Sequence, residues 1–145
     1  MNQRLRLLLI LLEVCLLPLV ACDRPPTRAT GEPGAPLLTF ERSGGIAGFQ
    51  DRLVVGYNGE YYLARGGQQE RIGSLSEERQ AQLESWLAET APFTLRLEDN
   101  PGMPDNMVRQ VVWRGPGKKL PAESQQRAIL DWASDLLAEL STAGD

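Results

Sequence analysis

The sequence predicts an α+β domain: a mainly antiparallel sheet with two amphipathic helices packed on one face. Three observations carry that prediction. Asn58-Gly59 lies between two runs rich in β-branched and aromatic residues, the strongest short-range hairpin signal in the chain. Ile129, Ala133, Leu136, Leu137 and Leu140 recur at helical spacing near the C-terminus. Strand-like and helix-like segments follow one another over residues 37–145 in the order β-β-β-α-(β)-β-α, the alternation of an α+β domain.

Each element has its own justification. Leu38, Phe40 and Arg42 alternate with Leu37, Thr39 and Glu41, a short strand. Arg52 to Tyr57 is a second strand, and Glu60 to Ala64 a third. A two-residue type I′ turn at Asn58-Gly59 sets Val55 opposite Tyr62 and Val54 opposite Leu63. Apolar residues on both faces of this hairpin imply that one side meets helices and the other is only partly wet. Residues 65–70 form a loop. Ser76 then caps a helix with Glu77 and Glu78 in its first turn, and Ser74 with Glu77 offers an alternative capping box. Leu83, Trp86 and Leu87 form its apolar stripe, with Trp86 a core residue rather than a ligand platform. Pro92 ends the helix near Thr90.

Phe93, Leu95 and Leu97 alternate as an extended piece before a polar loop, residues 98–105, with two prolines. Its carboxylates lack the alternating ligand spacing of an EF-hand. Met107 to Arg114 is another strand, with Met107, Arg109, Val111 and Trp113 on one face. Residues 115–119 turn the chain, Pro121 suits a first helical turn, and the C-terminal helix follows with Asp131, Asp135 and Glu139 on its solvated side.

Residues upstream of this domain have a different character. Arg4 and Arg6 precede a leucine-rich run from Leu7 to Val20, interrupted by Glu13, and small residues lead to a cysteine. That is the architecture of a secretory signal over residues 1–21. Its end, Leu19-Val20-Ala21-Cys22, resembles the bacterial lipobox. The resemblance implies a diacylglyceryl group on the Cys22 sulfur, cleavage before Cys22, and a lipid anchor on the outer side of the cytoplasmic membrane or on an outer membrane. Each buried CH2 of such an anchor contributes about 0.8 kcal/mol. Residues 22–36 form a tether, whose stretch 23–36 carries four prolines, two glycines and no large apolar side chain. That stretch spans at most roughly 45 Å.

Composition then excludes several kinds of chemistry. Removing Arg4, Arg6 and Glu13 with the signal leaves 13 basic and 18 acidic residues, a net charge of −5, from 15 and 19 in the full chain. The basic residues are scattered, so nucleic acid is not an expected partner. The chain has no histidine, and Cys15 leaves with the signal. Histidine-dependent nucleophiles and zinc centres are thereby excluded, along with any intramolecular disulfide. No catalytic residue, metal or cofactor is assigned. A hydrolase with paired carboxylates would need two acids in one cleft, and most acids here lie on helix faces or in loops.

One segment breaks the pattern of polar connections. Arg42, Ser43, Gly44, Gly45, Ile46, Ala47, Gly48 and Phe49 place an aliphatic and an aromatic residue on a glycine-rich loop. As a purely structural device this is a wide hairpin loop whose glycines supply positive φ. As a strand ending in Arg-Ser-Gly-Gly followed by Ile-Ala-Gly-Phe, it resembles the opening signature of the emfourin family, small bacterial inhibitors of thermolysin-like zinc metallopeptidases. The order of elements from about residue 37 to 140 continues the resemblance.

The family implies a protein that acts by binding. Ile46 or Phe49 would enter an apolar pocket beside the scissile-bond site while the glycines let the backbone into a narrow cleft. Direct ligation of the target's zinc would need a carboxylate such as Asp51, so steric blocking is the simpler mechanism. The alternative function is a non-enzymatic cell-envelope adaptor or ligand-binding module with a purely structural loop.

Overall fold

The computed structural model describes Gly34 and residues 36–143. The signal and Cys22 lie outside these residues, as does nearly all of the tether. Six strands and two helices follow in chain order: β1 (Pro36–Gly44), β2 (Phe49–Gly56), β3 (Glu60–Arg65), β4 (Arg71–Ser74), α1 (Glu77–Leu87), β5 (Phe93–Glu98), β6 (Met107–Trp113) and α2 (Glu123–Thr142). The strands form one sheet in the order β4-β3-β2-β1-β6-β5, and every neighbouring pair is antiparallel. The α+β class is therefore correct.

The register sorts side chains by face. Leu38, Phe40 and Arg42 of β1 stand beside Val55, Leu53 and Asp51 of β2 on one flank, and beside Trp113, Val111 and Arg109 of β6 on the other. Alternate residues project from opposite faces of a strand, so these rows share a face. The core joins this face to Leu83 of α1 and to Ile129, Leu130, Trp132, Ala133, Leu136 and Leu137 of α2. Leu37 is buried in the same core although the alternation assigns it to the other face. A bulge between Pro36 and Leu38 lets both leucines turn inward. Thr39, Val54 and Tyr62, one residue out of phase, are buried on the opposite face.

The helices contribute unequally. α2 buries six residues, whereas α1 buries only Leu83, with Trp86 and Leu87 half-buried. Trp86 is thus not fully internal, and its ring meets Trp132 edge-to-face at 5.7 Å. Ser76 caps α1 as anticipated, accepting from the Arg79 amide at 3.3 Å. The helix ends at Leu87, three residues before Thr90. Thr90 instead pins the chain to its surroundings. Its carbonyl accepts the Trp113 indole N–H at 3.2 Å, its hydroxyl accepts from Gln125 at 3.3 Å, and it forms a parallel bridge with Lys119.

Four local expectations are corrected. Val54 pairs with Tyr62 and Val55 with Tyr61, one residue away from the anticipated register. The turn has three residues rather than two: Gly59 donates to the Gly56 carbonyl at 3.2 Å, and Gly59, not Asn58, carries positive φ. A type I′ turn needs positive φ at both central residues, so this is a type I turn closed by a left-handed glycine. A further strand, β4, occupies residues where none was assigned. Its polar, four-residue run Arg71–Ser74 lacks apolar alternation, and Gly73 is needed because the Tyr61 ring lies across its Cα. Finally, Pro121 precedes the last helix instead of lying in its first turn; Ala122 is the N-cap.

Candidate functional site

The glycine segment is mostly strand. Arg42, Ser43 and Gly44 belong to β1 and pair with Asp51, Gln50 and Phe49 of β2. Only Gly45, Ile46, Ala47 and Gly48 form the connection, closed by a hydrogen bond from the Gly48 amide to the Gly45 carbonyl at 3.0 Å. Gly44, Gly45 and Gly48 have φ of 88°, 71° and 62°, the left-handed values a β-carbon resists.

The two apolar residues of this segment have different fates. Ile46 is 93% exposed at the tip. Phe49 is half-buried at the base, and the Arg42 guanidinium lies over its ring at 4.2 Å from the centroid. Such a stack is worth about 0.5–2 kcal/mol. Phe49 therefore supports the turn, and Ile46 is the side chain free to enter another molecule.

Beneath the turn lies a row of charges on the sheet face that also carries Phe40. Asp51 is 5% exposed and receives both Nε and Nη2 of Arg42, the former at 2.9 Å. Arg65 Nε stands 3.6 Å from its other oxygen. Next along the row, Arg109 donates to Asp99 at 3.1 Å and lies 3.8 Å from Asp131 on α2. Asp51 is thus enclosed as the counter-ion of two arginines and is not presented to a metal in another protein.

The sequence did not mark the neighbouring connection, residues 99–106, as part of this site. β1 pairs with β6 as far as Gly44 opposite Met107, and one step further the Gly45 amide donates to the Asn106 carbonyl at 2.9 Å. A β-carbon on Gly44 would collide with that carbonyl oxygen. Asn106 organises its own loop, accepting from the Asn100 amide at 3.0 Å and donating to Glu98 at 3.1 Å. Glu98 and Asp99, read in the sequence as poor calcium ligands, are engaged by Arg96, Asn106 and Arg109. Met103 stands 60% exposed in this loop. Its one sequence signal is an apolar residue between Gly102 and Pro104.

Other surface features lie elsewhere. A cleft of about 200 Å3 opens on the sheet face that carries Thr39, with Glu41, Arg52 and Gln110 also among its walls. Among the described residues no group of three acidic, histidine or cysteine side chains is arranged to hold a metal, and no helix is long and apolar enough to cross a membrane. Comparison of the chain with protein-family models, with curated proteins and with solved structures finds no match.

Proposed function

We propose that this chain is a membrane-anchored, non-enzymatic lipoprotein of the cell envelope that binds a thermolysin-like zinc metallopeptidase and inhibits it. The observation that carries the reading is Ile46: a large aliphatic side chain, 93% exposed, on a turn whose backbone is set by three positive-φ glycines. Isolated exposed apolar residues are ordinary. One held at the tip of a short, hydrogen-bonded turn is an anchor whose ordering cost is already met within the free protein.

In this reading the two helices close one sheet face. Arg42, Asp51 and Phe49 form the base that keeps Ile46 pointing outward. Ile46 enters an apolar subsite of the peptidase, and the narrow glycine backbone on either side follows it into the cleft, so substrate is kept out by bulk. Emfourin resemblance in the segment from Arg42 to Phe49 supplies the class of partner. The lipobox-like Leu19 to Cys22 supplies the anchor and places the encounter outside the cytoplasmic membrane.

The test uses the full chain, purified with its lipid in detergent and titrated against a panel of thermolysin-like enzymes on a short peptide substrate. Activity should fall stoichiometrically with at least one enzyme, and Ile46→Asp should weaken that effect without moving the thermal transition. No loss of activity across the panel would sink the inhibitor reading.

A second reading, an envelope adaptor or ligand-binding module, draws on the cleft of about 200 Å3 beside Thr39 and Glu41. That volume is below the roughly 300–1,000 Å3 typical of small-molecule sites. A wider groove of about 490 Å3 beside Ala88, Glu89 and Lys119 falls within that range, and the inhibitor reading is preferred because the exposed Ile46 and the resemblance in Arg42 to Phe49 agree on it.

A further inference from the structure

Resting on that reading, we infer that the partner is gripped by two loops, and that the loop of residues 99–106 with Met103 at its tip is the second half of the docking surface. Both loops leave the same end of the sheet. They are joined directly, since the Gly45 amide donates to the Asn106 carbonyl at 2.9 Å and Gly44 stands opposite Met107 in the ladder. The space for this approach exists only because Gly44 has no β-carbon. The end of the sheet thus acts as one body, and a cleft that receives Ile46 meets the second loop as well.

Backbone hydrogen bonds close the second loop as they close the first. Met103 donates to the Asn100 carbonyl at 3.1 Å, and Asn106 donates to the Met103 carbonyl at 3.1 Å, so turns brace the tip on both sides. Arg109 and Asn106 hold Asp99, Glu98 and Asn100 beneath it. Loops held in this way lose little conformational freedom on binding. Ile46 and Met103, at 93% and 60%, are large apolar side chains exposed at this end of the fold.

The occupant is a separate protein, the peptidase of that reading. Pro36, where the upstream segment joins the domain, and Gly44 stand at opposite ends of the nine-residue β1, about 26 Å apart at strand rise, so both loops lie at the end of the sheet opposite the point of attachment. The chemistry of the partner is a peptidase cleft with two neighbouring apolar recesses, one for Ile46 and one for the flexible thioether of Met103.

The experiment titrates the full lipidated chain, in detergent, against the metallopeptidase that it inhibits. Inhibition constants are compared for the wild type, Ile46→Asp, Met103→Asp and the control Leu120→Asp. Leu120 is 68% exposed but lies in the connection between β6 and α2. Met103→Asp is expected to weaken inhibition roughly tenfold or more, as loss of a central anchor does, with an unchanged thermal transition and with Leu120→Asp close to wild type. Weakening by Ile46→Asp alone overturns the two-loop surface and leaves the inhibitor reading standing. Equal weakening by Leu120→Asp also overturns it, because the effect is then not local. Absence of inhibition by the wild type overturns both.

Discussion

A methyl group at Gly44 and one at Gly48 meet different surroundings, although both glycines have positive φ. At Gly48 nothing lies within 4 Å of the added carbon, so Gly48→Ala should cost only the backbone strain of an L-residue there, about 1–2 kcal/mol. At Gly44 the same strain is joined by collision with the Asn106 carbonyl, and the two loops must part. Gly44→Ala is expected to destabilise more than Gly48→Ala in urea unfolding and to speed hydrogen exchange at the Gly45 amide. Equal losses would show that the loops are not held together there. Asp51 makes a second residue-scale case. Its carboxylate balances Arg42 and Arg65 with its side chain 4% exposed. Asp51→Ala leaves both cations facing a gap, and about 3 kcal/mol is expected, the lower end of the range for a broken buried pair because Arg42 remains 20% exposed. Phe49 should lose its stack at the same time, which near-ultraviolet circular dichroism would register.

At the scale of the element, α2 carries the domain and α1 accompanies it. Leu137 is 1% exposed within the core, and Leu137→Ala should cost about 2–5 kcal/mol in equilibrium unfolding. Trp86, half-buried and in edge contact with Trp132, should cost less when truncated than a fully enclosed tryptophan. The start of α2 is improvable. Ala122 has the extended backbone of an N-cap, φ −59° and ψ 156°, but no side chain to receive an orphan amide. Ala122→Ser is expected to raise stability by about 0.5–1 kcal/mol, read as a higher urea midpoint at unchanged slope. The link between the helices, Arg79 to Glu139 at 2.8 Å, lies near the surface with Glu139 49% exposed. Pairs of this kind contribute about 0.2–1 kcal/mol, too little to set how the helices sit.

For the whole molecule, the core among the described residues draws on positions from Leu37 to Leu137. Residues 36–145 expressed alone should therefore unfold in one cooperative thermal transition, and a broad, non-cooperative melt would contradict that. In the full chain, Cys22→Ser should abolish incorporation of labelled fatty acid and partition into detergent. If the wild type takes up no label, the lipoprotein assignment is wrong. These two measurements are independent, because one concerns a packed core and the other the proposed modification of Cys22.

By itself the sequence determined what local chemistry decides. The apolar repeat from Ile129 to Leu140 places a helix because side chains three and four residues apart share one face. Ser76 marks a helix start because its hydroxyl meets a free amide. The glycines around Ile46 mark a turn because only glycine adopts such φ freely. Tertiary structure decided the rest. The hairpin register moved by one residue because facing rows of Leu53 with Leu63 and Val55 with Tyr61 bury together, and a left-handed Gly59 admits that alignment. β4 was illegible because an edge strand is held by backbone pairing with β3, and Arg71 to Ser74 carry no alternation to betray it. Above all, the pairing of β6 with β1, with more than sixty residues between them, is what lays residues 99–106 beside the glycine turn. No local pattern encodes that partnership. It follows from burial of Phe40, Val111 and Trp113 against α2, a free energy that exists only once the whole sheet is assembled.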